Sequence, residues 1–110
     1  KQKGGRRVDA QLKKGVLAMC ILYQLREQEE YGYEILRRIQ AAFPDVYDGS
    51  VYAVLRRLAA EGYAETILRP SDSGPPRKYY RITPAGRDYL KAAVDDWRSL
   101  QRQVHKLGIS

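Results

Sequence analysis

Residues 48–83 read DGSVYAVLRRLAAEGYAETILRPSDSGPPRKYYRIT, and the fold turns on how this stretch divides. At about 100° per residue, Val51, Val54, Leu55 and Leu58 share one face of a helix that opens near Ser50. Asp48 or Ser50 can cap it by accepting from a free amide of the first turn, and Gly62 closes it. Tyr52, Ala53, Arg56, Arg57 and Ala60 stand on the far side. Two runs rich in Tyr, Ile and Thr follow, YAETILR and RKYYRIT, and both predict strands. The PSDSGPP between them cannot continue a ladder: Pro75 and Pro76 have no amide donor, and Gly74 favours a turn. A helix followed at once by a basic hairpin predicts a helix with a wing.

Working upstream, Leu12, Val16, Leu17, Met19, Cys20, Ile21, Leu22 and Leu25 predict a first helix over about 8–26. It is apolar over so wide an arc that it should pack on two sides. EQEEYG interrupts the pattern. A second helix is expected from Gly32 to Ala42, with Ile35, Leu36 and Ile39 inward and Pro44 stopping it. The second helix, a short connection and the third helix form a helix-turn-helix.

Working downstream, Thr83 caps a last helix whose first position is Pro84. Leu90, Ala93, Trp97, Leu100, Val104 and Leu107 then recur at alternating spacings of three and four, an a/d heptad stripe. Pro84 to Leu107 would be about 36 Å long, more than the rest of the domain can cover. This seam predicts a homodimer. The expected fold is therefore mainly α with a small β-hairpin. A basic N-terminal arm (1–9) precedes a winged helix-turn-helix domain (10–83), and a C-terminal dimerisation helix (84–110) ends the chain.

The chain has 110 residues, room for one compact domain. Lys and Arg number 20 against 13 Asp and Glu, a net charge of +7 that favours a polyanionic partner. The lone Cys20 excludes an intrachain disulfide and suits a reducing, cytoplasmic setting. One Cys and one distant histidine, His105, give neither a metal-ligand cluster nor a catalytic triad, and no glycine-rich phosphate loop is present. No enzyme, cofactor or metal is expected. No run of about 18 apolar residues appears, so no membrane-spanning segment is expected.

The major groove of double-stranded DNA admits one α-helix, and Arg can bridge two acceptors on the edge of guanine. The third helix thus offers Arg56 as base reader and Arg57 as phosphate clamp. Ser50 and Tyr52 can donate to phosphates at the helix N-terminus. Arg77 and Lys78 follow the wing tip, within reach of a backbone. Tyr79 and Tyr80 point to opposite sheet faces, one toward the core and the other toward DNA, and alternation alone does not say which. Tyr33 can serve either role. The pair Arg37 and Arg38 is explained by solubility alone. Trp97, in the middle of the seam, is a large coiled-coil knob or, paired across a two-fold axis, a clamp for a planar ligand.

YGYEILRRI, GSVYAVLRRLAAEGY and GPPRKYYRITPAGRDYL together resemble the PadR family of winged-helix transcriptional regulators, over roughly residues 12–90. GSVY holds the hydroxyl residue and tyrosine that the family places at the start of its recognition helix, with Ala53 next where proline is common. The single C-terminal helix is similar to the family's small branch. The resemblance implies a repressor of an inverted-repeat operator. It also implies a cavity for a planar aromatic effector, lined by Leu12, Gly15, Met19 and Leu22 of the first helix. Tyr89, Ala93, Trp97 and Gln101 of the last helix would complete it. The competing reading is a winged-helix module that binds protein and has low affinity for any duplex.

Overall fold

The computed structural model describes Lys13 and residues 15–110. The expected arm over residues 1–9 and the expected ligand residue Leu12 lie outside the described residues. The described elements are α1 (Val16–Tyr23), β1 (Glu30–Tyr31), α2 (Gly32–Ala42), α3 (Asp48–Ala60), β2 (Ala64–Arg69), β3 (Arg77–Ile82) and α4 (Pro84–Lys106). The fold is mainly helical, with one small antiparallel sheet in the order β1-β3-β2.

Helix α1 packs against α2, α3 and α4. Ala18, Ile21 and Leu22 are buried while Leu17, Met19 and Cys20 press on the core from its other sides, as the wide apolar arc requires. The expected continuous span 8–26 is interrupted at Gly15; Lys13 ahead of it is also helical, and residues 8–12 and 14 lie outside the described residues. Gly15 stands ahead of α1 at φ +86°, a left-handed turn that an α-helix cannot run through. After Tyr23 the chain tightens into i→i+3 bonds, Gln24 to Ile21, Leu25 to Leu22 and Arg26 to Tyr23.

Helix α2 matches its expected span and buries Ile35, Leu36 and Ile39. Helix α3 starts two residues earlier than expected, and neither Asp48 nor Ser50 caps it. Tyr47 takes the cap position, and its side chain makes no capping hydrogen bond to the helix. The Asp48 carboxylate instead accepts from Gln40 Nε2 at 2.8 Å, and the same amide donates to the Val46 carbonyl at 2.9 Å. A tertiary tie thus replaces the local cap, with Asp48 still placed well for the helix dipole. Gly62, at φ +85°, ends the helix: its N–H bonds Ala59, and the Tyr63 N–H bonds Leu58, a Schellman closure.

Strands β2 and β3 pair from Ala64 opposite Ile82 to Arg69 opposite Arg77, leaving residues 70–76 as the wing tip. Alternation along β3 sends Tyr80 and Ile82 into the core. Tyr80 is therefore the inward tyrosine of the pair, and Tyr79 lies on the other face. Strand β1 falls inside the EQEEYG interruption and pairs Glu30 with Tyr80 and Tyr31 with Tyr79.

Thr83 joins wing to α4. Its Oγ1 accepts from the Gly86 N–H at 3.0 Å and donates to the Gly62 carbonyl at 2.6 Å, tying the α4 start to the α3 end. A Cβ on Gly86 would stand 2.0 Å from the Tyr63 carbonyl oxygen, so only glycine permits this crossing. Leu90 is buried, Tyr89 meets the Tyr63 ring at 4.6 Å, and Arg87 donates to the Arg26 carbonyl. Beyond these first turns α4 leaves the core. No helix among the described residues is long and apolar enough to cross a membrane.

Candidate nucleic-acid interface

Helix α3 buries Val51, Leu55 and Leu58, which turns Gly49, Ser50, Ala53, Arg56, Arg57 and Ala60 outward, all exposed. The outward arc is not uniform. Tyr52 and Arg56, one turn apart, lie on its wing side, while Ala53 and Arg57 stand farther round. Tyr52 is half-buried against the core, and burial pushes its phenol above the ordinary value, helped by the nearby Asp48 charge.

Opposite this flank, Tyr31 ends β1, Gly32 and Tyr33 begin α2, and Lys78 and Tyr80 come from β3. With Tyr52 and Arg56 they line a cleft of about 320 Å³. The structure so brings together four expected interface residues, Tyr33, Tyr52, Arg56 and Lys78, from three separate elements. Burial raises the Tyr80 phenol, with the Arg56 charge pulling it the other way and Tyr52 adding to the rise.

Beside the cleft runs an aromatic row. Tyr31 stacks on Tyr79 at 5.5 Å, Tyr33 follows at 6.1 Å, and the Arg77 guanidinium sits 4.9 Å from the Tyr31 ring centre. Such a cation–π contact holds Arg77 beside the wing without neutralising it.

The basic side chains divide in two. Arg38 pairs with Glu30 at 3.0 Å, Arg81 with Glu65 at 3.2 Å, and Arg69 grips Glu29 through two bonds of 2.7 Å. Arg56, Arg57, Arg77 and Lys78 form no ion pair with a described residue. These four cover the outer face of α3 and the start of β3, where a polyanion would find charge not already spent on carboxylates. Arg37 on α2 and Arg87, Arg98, Arg102 and Lys106 on α4 likewise form no ion pair with a described residue. Tyr31 and Gly32 were missed as lining residues by sequence reasoning. The aromatic pair flanking glycine in YGY was the available signal.

The residues expected around an effector are placed less uniformly. Gly15 is exposed, Met19, Tyr89 and Ala93 are half-buried, and Leu22 is wholly inside the protomer's own core. Trp97 is 39 % exposed and Gln101 is open to solvent. Along the seam Leu90 is buried within the protomer, whereas Leu100, Val104 and Leu107 are exposed, the last by 88 %. Among the described residues no cluster of three or more His, Cys, Asp or Glu could hold a metal ion.

Comparison with known proteins places this arrangement. The model of the transcriptional regulator PadR-like family matches residues 21–92. The chain belongs to the PadR-like family of transcriptional regulators. A transcriptional regulator of Mycobacterium tuberculosis, Rv3488, is 30% identical over 97 residues, 88% of this chain and 87% of that protein. The crystal structure of a PadR-like transcriptional regulator from Bacillus cereus superposes with a TM-score of 0.79 at 38% identity. It covers 89% of this chain and 96% of that one. A Streptococcus transcriptional regulator has a TM-score of 0.80 at 31% identity, covering 92% of this chain and all of the other. The PadR-like family comprises regulators, not enzymes. The family match takes in the sheet, α2 and α3 and ends within α4, ahead of Trp97 and the exposed seam.

Proposed function

We propose that this PadR-like regulator is a homodimeric, sequence-specific DNA-binding protein that represses from an inverted-repeat operator. One observation carries the reading: the outward face of α3 and the adjoining edge of β3 hold Arg56, Arg57, Arg77 and Lys78 without carboxylate partners among the described residues. In this reading α3 enters a major groove, with Ser50, Ala53 and Arg57 at the groove and the wing along the backbone. Tyr33, Tyr52 and Tyr79 flank it.

The second copy is supported by the α4 seam. Trp97, Leu100, Val104 and Leu107 form an apolar line that the protomer leaves open. Two-fold pairing through it repeats the reading head about one helical turn away, which an inverted repeat requires. A planar aromatic effector held near Trp97 by Gly15, Met19, Tyr89, Ala93 and Gln101 would alter the tilt of the two heads. By linkage, it releases DNA only as far as it prefers the non-binding arrangement.

Selection of bound duplexes from a random pool, followed by a gel-shift titration, tests the core of the reading. Recovery of a two-fold symmetric sequence bound far more tightly than the unselected pool is expected. Equal, weak binding of every duplex at low salt would instead favour the protein-interaction module. Trp97 is the only tryptophan, so quenching of its emission by planar dyes tests the effector site separately.

A further inference from the structure

The cleft between the α2 start, α3 and β3 has a chemistry more specific than positive charge. Arg56 and Lys78 face it without ion-pair partners among the described residues, and no Asp or Glu lines it. Tyr80 forms its floor at 3 % exposure, yet no described residue hydrogen-bonds its hydroxyl. That oxygen is not sealed away either, since no fully buried side-chain oxygen among the described residues lacks a partner. It opens on the cleft and is free to donate. Gly32 starts α2 here, and no side chain caps the first turn, which adds the positive end of the helix. A Cβ at position 32 would come within 3.2 Å of the Tyr80 ring, so glycine lets phenol and helix start lie together.

A base edge displays donors and acceptors side by side, whereas a phosphate displays acceptors only. This lining offers a guanidinium, an ammonium and phenol hydroxyls, all able to donate, and no side chain restricted to accepting. We propose that the cleft seats one phosphate group of the DNA backbone, gripped by Arg56 and Lys78 and hydrogen-bonded by Tyr52 and Tyr80. Arg56 thus clamps a phosphate from the wing side of α3 and does not read a base, which revises the role its position in the sequence suggests. Base reading falls to the groove-facing residues farther round, Arg57 among them. The assignment to DNA rests on the function proposed above, but the phosphate chemistry can be tested without it.

Two arms separate the possibilities. In the first, the full chain is titrated by fluorescence anisotropy with the selected duplex and with an unrelated one of equal length, across a salt series. Arg56→Gln should weaken both by the same factor and lower the slope of log K against log salt by about one. Tyr80→Phe, which keeps the ring packing, should weaken both equally and leave the slope alone. Loss confined to the selected duplex with an unchanged slope would make Arg56 a base reader and overturn the proposal. In the second arm inorganic phosphate replaces chloride at constant ionic strength. The Gly32 and Tyr80 amide resonances should shift in the unmodified protein and stay fixed in Arg56→Gln. If the unmodified protein bound no duplex while these shifts appeared, the DNA reading would fail and the seat would stand for a free phosphate compound. Fixed resonances in the unmodified protein would overturn the seat.

Discussion

From Ala18 to Ile82 most aliphatic side chains turn inward, Leu68 near the wing tip apart, and Ile21, Leu22, Ile35, Val51 and Leu55 have essentially no exposure. From Trp97 to Leu107 the same kinds of residue at the same helical spacing remain open, Leu100 by 52 %. Both regions obey one amphipathic rule; they differ in where the complementary surface lies. The winged core finds it within the chain, because α1 is apolar all round and fills the space between α2, α3 and α4. The far half of α4 has left that core behind and finds none. A buried stripe therefore contributes to folding, while an open one can contribute only to association.

The largest expected effect lies in the core. Leu55→Ala should lower unfolding free energy by about 2–5 kcal/mol, measured by urea denaturation, because α3 packs there on both α1 and α2. A loss below 1 kcal/mol, on the same scale, would mean the core can collapse around the cavity. Next is the crossing of α4 over the α3 end. Gly86→Ala forces a methyl against the Tyr63 carbonyl and should cost about 1–3 kcal/mol. Seam variants mark the other side of the comparison. Leu100→Ala with Leu107→Ala should move the dilute protomer's stability by no more than about 0.5 kcal/mol, yet weaken the proposed dimer in sedimentation equilibrium. Equal destabilisation at every concentration would show that α4 is covered from within its own chain.

The core was more legible in the sequence than the cleft for the same reason that it is more stable: its signals are local and repeated. Thr83 before Pro84, Gly62 after Ala60 and the spacing of Ile35, Leu36 and Ile39 each mark an element by its own few residues. Strand β1 has two residues, too few for a period, and exists because Tyr79 and Tyr80 present a free edge to it. The start of α3 was misplaced because Asp48 is occupied by Gln40, eight residues away in sequence. The cleft needed four elements brought together, and nothing in the spacing of Tyr31, Tyr52 and Tyr80 declares that they meet. The exposed seam was readable as a pattern, since heptads advertise themselves. That Leu90 is buried within the protomer, unlike Leu100 and Leu107, was not, because one stripe serves two surfaces in succession.

The outer part of the wing belongs to neither region: Ala64, Tyr80 and Ile82 at its base are buried, but toward the tip β2 and β3 are largely exposed. Arg69, the last residue of β2, grips Glu29 just ahead of β1 through two 2.7 Å bonds, so the clamp crosses to the far edge of the sheet. The Arg69 hydrogen bond holds the Glu29 carboxyl below its ordinary range. A carboxyl whose value is lowered by folding stabilises the fold above the unfolded value, near 4.3 for Glu. That contribution is lost as pH falls through the folded value. Glu29→Gln should therefore bring forward amide exchange in β2 slightly at neutral pH, and the gap from the unmodified protein should close as the medium is acidified below the carboxylate range. Because both partners are exposed, salt should shrink the gap as well. Leu55→Ala should show neither dependence, as its deficit comes from packing. A Glu29→Gln gap that persisted unchanged in acid and in high salt would assign the wing to the core's kind of stability, with β2 held by its pairing to β3 and the clamp incidental.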